Sequence, residues 1–389
     1  MIFPDYHGGS IANLMSSIAL AMGGWETGYQ PLARLDRERL GRVRNLVLLV
    51  VDGLGYLHLK EQAPHSVLFH HCVDSLTSVC PSTTATAIPT FLTGLPPQQH
   101  GLTGWFTYFV EVGAILTVLP YTTRLGRMPI DDRELNPRRL SGVPPIYDRL
   151  AAQSHLVIPD WIAGTTFNRA FTGAGRLRPY RGGLPGMIQG IAGAVDAGKG
   201  RNFIYAYWPE FDSLSHQHGV GSAEVAVHLA ALDQAFAGLV ERLRGTDTQL
   251  LVTADHGFVD TTPERTLRLS AHPELAETLM MPLCGEPRLA FCYVHPDRTG
   301  QFERYVTDRL GEAATLCRSA QLLNAGRFGL GAAHPRLHDR IGHYALLMKE
   351  NYIITSELPG ERPLSHIGVH GGLSSHEMYV PLISLDCNA

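Results

Sequence analysis

Four short stretches of this chain set acidic, hydroxyl and imidazole groups just beyond apolar runs. In NLVLLVVDGLG, Asp52 ends a hydrophobic run. An acid there is a simple turn residue before Gly53, or a ligand, since a carboxylate at the tip of a buried strand is costly unless something positive meets it. In VCPSTTATAIPTFLTG, Thr83 or Thr84 opens a helix, where exposed backbone amides favour a negative oxygen. A hydroxyl N-cap is the commoner fate of such a cluster. In FIYAYWPEFDSLSHQHG, Asp212 and His216 stand one helical turn apart and could face one ion or pair at the surface. In LLVTADHGFVD, Asp255 and His256 are adjacent before a glycine and could bind one metal together. A fifth stretch, HIGVHGGLSSHEMYVPLISL, adds His366, His370 and His376, one of which could complete a site. Each segment alone is ambiguous. Jointly they offer three carboxylates, three imidazoles and a hydroxyl, a set that suits two divalent ions and, through its nitrogens, zinc before magnesium.

Such groups need a scaffold that brings them together. Asn45 to Val51, Leu156 to Pro159, Asn202 to Trp208 and Gln249 to Thr253 are short apolar runs that stop abruptly. They read as buried strands of a mostly parallel sheet. Helical periodicity alternates with them at Ile11 to Met22 and at Ala223 to Leu243, the latter with Ser222 as its cap. The expected fold is therefore α/β, a mostly parallel central sheet flanked by helices, with its site at the carboxyl edge of the strands. Trp105 to Val143 breaks the rhythm and reads as a loop or hairpin laid over the sheet; its Trp105, Phe106 and Tyr108 could stack on an aromatic ligand such as a base or leaving group, or form the core of that insertion, the favoured reading. Residues 261–357 read as a small inserted cap, holding a strand at Leu289 to Val294 and a helix at Gln301 to Leu310. Residues 1–260 and 358–389 are expected to make the core.

Composition narrows the function. The 389 residues are 44% hydrophobic with a formal net charge of -4, which suits a globular core and gives no general affinity for nucleic-acid polymers or anionic membranes. Six scattered cysteines read as reduced thiols rather than a disulfide framework. The N-terminus makes a poor signal peptide, and no stretch reads as the ~20-residue apolar run of a membrane span. A cytoplasmic protein is expected; its oligomeric state is not legible.

With these motifs in place, the sequence resembles the alkaline phosphatase superfamily, closest to its nucleotide pyrophosphatase/phosphodiesterase branch. The resemblance covers roughly residues 44–104, 200–260 and 364–385. The branch places its nucleophile ten residues before the Gly of a Thr-Gly pair; Thr93-Gly94 thus selects Thr84. Its Asp, His and Gly signature is matched by Asp212, His216 and Gly219, its Asp-His-Gly by Asp255, His256 and Gly257, and its late His-Gly by His370 and Gly371. The resemblance implies an alkaline phosphatase-like core with two divalent metals, zinc first and manganese second. One would be held by Asp52, Asp255, His256 and Thr84, the other by Asp212, His216 and His370. His218 and His376 are candidates at the substrate edge. The branch also carries an Asn three residues after the nucleophile, where this chain has Ala87, and a Pro two residues after it, where the nearest here is Pro89.

The implied activity is hydrolysis of a phosphodiester or nucleotide pyrophosphate through a phosphothreonine, with the Ala85 amide covering a phosphate oxygen. The substrate would be a small-molecule phosphate ester, a nucleotide among the candidates. No Arg or Lys neighbours Thr84 to neutralise a dianion, which favours a diester, although Arg169 and Arg176 could reach in. Rivals are a phosphomonoesterase, a phosphonate hydrolase, a phosphomutase, and a metal-stabilised binding protein without catalysis. A sulfatase is disfavoured because Cys80-Pro81 lacks a nearby Arg.

Overall fold

A computed structural model of the chain describes residues 1–131, 133, 135–198 and 200–388. The strand Asn45–Val51 is buried at every position, as its unbroken apolar sequence demands of a strand covered on both faces. It pairs in parallel with Asn202–Trp208 on one side and Thr248–Thr253 on the other. Gln153–Pro159 and then Arg176–Tyr180 extend the parallel run. On the opposite side Tyr379–Asp386 lies antiparallel to Thr248–Thr253, and Cys72–Thr77 closes the seven-stranded sheet. The expected mostly parallel sheet flanked by helices is the observed one.

Register is what matters for the site. Val51 is opposite Trp208, and Val50 is opposite Thr253. The three central strands therefore stop at one level, and Asp52, the Glu210–His218 helix and Asp255 all follow from that edge.

The helix Ala223–Leu243 is long and apolar enough, by length and composition, to cross a membrane. Its buried positions Val225, Leu229, Leu232, Phe236, Leu239 and Leu243 fall at helical spacing on one face, and it packs against the helices Gly183–Ala197 and Glu210–His218. Asp233 on it accepts the amides of Val67 and Leu68 at 3.1 and 2.8 Å.

The two stretches that break the α/β rhythm meet in a second, antiparallel sheet of seven strands. Phe106–Phe109, Ala114–Thr117 and Thr122–Thr123 come from the first stretch. Cys284–Glu286, Leu289–Cys292, Ala314–Arg318 and Tyr344–Met348 come from the second. Segment 261–357 thus shares its sheet with residues 106–123, which join it through the pairing of Gly285 with Phe106. The helix expected at Gln301 to Leu310 runs from Thr299 to Leu310 and buries Phe302, Val306 and Leu310.

One buried ion pair ties this layer to the core. Arg288 meets Glu377 in a two-pronged bond of 3.0 and 2.8 Å with both side chains out of solvent, and also donates to the Tyr352 carbonyl at 2.6 Å. Burial opposes the Glu377 charge, yet Arg288, the Ser374 hydroxyl and the Gly372 amide hold its carboxyl below the usual range.

Candidate active site

Asp52 leaves its strand through Gly53 at φ +77°, and a Cβ on Gly53 would meet the Phe258 ring at 2.4 Å. Only glycine permits that turn. At the neighbouring strand end, a Cβ on Gly257 would meet the His376 carbonyl oxygen at 2.0 Å, so the bend that follows Asp255 and His256 also requires glycine. Asp255 Oδ1 accepts the amides of Gly53 and His256, each at 3.0 Å. These bonds lock the two strand ends to each other.

Thr84 is the first residue of the helix Thr84–Thr93, and its Oγ1 lies 3.0 Å from His256 Nε2 and 3.5 Å from Asp52 Oδ1. His256 Nε2 is 3.3 Å from Asp52 Oδ1 and 3.5 Å from Asp255 Oδ2. Asp52 Oδ2 accepts the Tyr207 hydroxyl. Ala85, next in the helix, carries an amide without an intrahelical acceptor.

The second cluster stands beside the first. Asp212 Oδ1 is 3.4 Å from His216 Nε2 and 3.7 Å from His370 Nε2, and the two imidazole nitrogens are 3.2 Å apart. His370 also stacks on His256, with ring centroids 3.7 Å apart. Phe258 sits edge-on to His216, His256 and His370 at 5.0 to 5.5 Å and wedges all three rings.

Whether these residues suit cations can be judged from their hydrogen bonds. His216 Nδ1 faces the Gly368 carbonyl at 2.8 Å and His256 Nδ1 the Gly257 carbonyl at 3.1 Å. Those partners assign the proton to Nδ1 and leave an Nε2 lone pair aimed into each cluster. Asp212 Oδ1 and Asp255 Oδ2 are buried without a hydrogen-bond partner. In each cluster the three ligand atoms lie within 4.8 Å of one another. Burial, with the charges of Asp255 and Asp212 added, pushes the Asp52 carboxyl well above the usual range. Asp212 is pushed up to about 7, again chiefly by burial. Burial lowers His216 to about 4 and His370 well below its ordinary value. Crowded buried carboxylates with neutral imidazoles fit two divalent cations.

Both clusters open onto a cavity of about 570 Å³, lined by Asp52, Thr84, Asp212, His216, Glu286 and His370 at its polar end. Among the described residues that line it there is no Lys or Arg. Glu286 accepts the Trp105 amide at 2.6 Å, and burial pushes its carboxyl up to about 7 against the Thr83 hydroxyl and that amide.

The structure brings Asp52, Thr84, Asp212, His216, Asp255, His256 and His370 together. It does not bring in His218, which lies two positions from His216 and so points off another face of the helix, its Nδ1 3.9 Å from Glu224. His376 is half exposed beside Glu61. Arg169 turns back on the Gly164 carbonyl and Thr166, Arg176 begins its strand at the opposite edge of the sheet, and neither lines the cavity. Trp105 and Phe106, expected in the core of an insertion, line the cavity instead, because their strand joins the second sheet at Gly285; Tyr108 packs on Tyr293. Ala87 is fully buried and offers no polar atom.

Sequence reasoning missed Tyr207, Phe258 and Glu286. In sequence the two aromatics look like any strand-end core residue. Glu286 carries a weak signal, an acid before Pro287 at the end of a short apolar strand. His366, left undecided among the late histidines, lines the cavity with its ring 4.1 Å from that of His216.

Known proteins share this fold. A sequence model described as type I phosphodiesterase / nucleotide pyrophosphatase matches residues 46–373. Murine ectonucleotide pyrophosphatase / phosphodiesterase 5 superposes with a TM-score of 0.65 at 16% identity, covering 87% of each chain. An inactive threonine-to-alanine variant of it, in complex with AMP, gives 0.63. Phosphonoacetate hydrolase from Sinorhizobium meliloti 1021, in complex with phosphonoformate, also gives 0.63 at 16% identity over 88% of this chain and 90% of that one. Among curated sequences, the human GPI ethanolamine phosphate transferase 3 catalytic subunit is 36% identical over 73 residues, 19% of this chain and 6% of that much longer protein.

Proposed function

This chain belongs to the type I phosphodiesterase / nucleotide pyrophosphatase family of the alkaline phosphatase superfamily, and on that premise we propose that it is a two-metal phosphodiesterase acting through a phosphothreonine at Thr84. Family membership makes it a phosphoric ester hydrolase. The observation that carries the finer reading is Thr84 Oγ1 at a helix start, 3.0 Å from His256 Nε2 and 3.5 Å from Asp52 Oδ1, facing a cavity without Lys or Arg among its described residues.

Asp52, Asp255 and His256 with Thr84 would hold one cation, and Asp212, His216 and His370 the other. Their nitrogen and oxygen donors suit zinc, with manganese as the alternative. When bound, such ions supply Lewis-acid stabilisation of the attacking and leaving oxygens. The residues do the rest. Thr84 is presented as a nucleophile, its Oγ1 held at the helix start within reach of the same His256 Nε2 and Asp52 Oδ1 that would hold the ion. The free Ala85 amide supports a phosphate oxygen as negative charge develops. The absence of a cationic side chain along the described cavity wall favours a diester monoanion over a monoester dianion.

Hydrolysis of bis-p-nitrophenyl phosphate against p-nitrophenyl phosphate, with bound metal quantified, tests the reading. Preference for the diester with two metals per chain is expected; preference for the monoester overturns the substrate class. Thr84→Ala should abolish turnover, by about 10³-fold or more, with metal content near that of the unmodified protein. Retained activity in that variant would sink the nucleophile assignment.

A further inference from the structure

Beyond Thr84 and the two clusters the cavity presents an apolar wall. Ile88, Phe106, Leu119, Ile162, Phe167 and Trp161 line it, drawn from four separate segments of the chain. Of the polar side chains beside them, Ser213 and Thr165 make local bonds, whereas the Tyr205 hydroxyl is buried without a hydrogen-bond partner. Ser213 donates to the Pro209 carbonyl at 3.2 Å, and Thr165 Oγ1 accepts both the backbone amide and the side-chain amide of Asn168, at 3.3 and 3.0 Å. A guanidinium behind the wall, that of Arg124 stacked 3.9 Å from the Phe106 ring, is spent on Glu361 and on the Leu283 and Ser356 carbonyls. Against the six apolar side chains, whose one polar atom is the Trp161 indole nitrogen, a nucleobase would leave most of its donors and acceptors unpaired, at a cost that apolar contact does not return.

Trp161 adds an independent observation. It lines this cavity, yet 68% of it is open to solvent, on the short helix Asp160–Ala163 at the cavity mouth. Exposed tryptophan contiguous with an apolar cavity marks surface that a ligand covers.

We propose that the substrate of this site is a phosphodiester, one ester arm of which is a bulky uncharged alkyl or aryl group that fills the apolar cavity and emerges across Trp161. This rests on the diesterase reading above and names its substrate class. The cavity's volume accommodates an arm of eight or more carbons beside the phosphoryl group, and the wall's lack of charge leaves the phosphate as the only anion to be met.

The test titrates metal-loaded, full-length protein calorimetrically with O-alkyl methylphosphonates, monoanions that mimic a diester. The arms are methyl, butyl and octyl, beside thymidine 5′-O-methylphosphonate. Each buried methylene is worth about fourfold in affinity before ordering costs. Affinity should therefore rise by about 20-fold or more from methyl to octyl, with the nucleoside compound no tighter than butyl. Trp161→Ala should take about fivefold from octyl binding and leave methyl binding unchanged, and Trp161→Phe should restore most of the loss. An affinity flat across the alkyl series, or tightest for the nucleoside, overturns the proposal. Turnover is followed in parallel on p-nitrophenyl esters. Cleavage of monoesters alone would sink the diesterase reading while the binding series still decides the arm; a flat series with diester turnover intact sinks the arm alone.

Discussion

Glu286 shows how much a single carboxyl can bias this site. Burial lifts it from an ordinary 4.5 to about 7, so the folded chain holds its proton more tightly than the unfolded one. A raised carboxyl contributes stability that is complete below pH ~4.5 and is lost as pH rises through about 7. The size is on the order of 3 kcal/mol at most. Glu286→Gln keeps an acceptor for the Trp105 amide and cannot ionise. It should match the unmodified protein at pH 4.5 and exceed it by ~1–3 kcal/mol at pH 8, read from urea unfolding of metal-free protein at both values. Equal stability at pH 8 would mean that the side chain is solvated in solution. At this scale the residues that the structure gathers into two clusters were legible because each sits in a short local pattern, such as Asp212 one turn before His216. It hid Tyr207, Phe258 and Glu286, whose roles come from partners far along the chain: Tyr207 reaches back to Asp52, and Glu286 to Trp105.

Among elements, the critical joint is the one between the two sheets. Arg288 opens the Leu289–Cys292 hairpin side, while Glu377 lies in the short helix Ser375–Met378 that follows His370 and Gly371. Arg288→Met leaves Glu377 charged and buried. The expected loss is ~3–5 kcal/mol, measured by chemical denaturation, together with weaker occupancy of the Asp212, His216 and His370 cluster in metal titrations, because the loop bearing His370 loses its anchor. Normal metal stoichiometry in a destabilised variant would show that the joint supports the fold alone. The individual elements were legible: Ala223–Leu243 with its Ser222 cap stands where periodicity places it, and the Ser222 hydroxyl accepts the Val225 amide at 3.3 Å. The second sheet was not. Its strands are two to five residues long, and Phe106 and Gly285 pair across about 180 positions of chain, a partnership that no local pattern encodes.

For the molecule as a whole, the carboxyl edge of the sheet gathers three carboxylates, Asp52 and Asp255 buried and Asp212 half-buried, into two adjacent clusters. Removing divalent metal should therefore lower the melting temperature, with stability recovering as metal returns. A ligand at about 1,000 times its Kd contributes ~4 kcal/mol, which scanning calorimetry with and without chelator would read. An unchanged melting temperature would argue that the clusters do not bind metal under those conditions. The common edge of the three central strands has a further consequence. Neighbouring strands lie about 4.8 Å apart, close to the ~4 Å between ions in two-metal hydrolases. Asp255, Asp52 and Asp212 follow three successive strands of this sheet, so the pitch of the backbone ladder sets the spacing of the two clusters and, on the proposed two-metal mechanism, would serve as a ruler for its reaction. The apolar wall of Ile88, Phe106, Leu119, Trp161, Ile162 and Phe167 is furnished by other segments, which can change without altering that spacing.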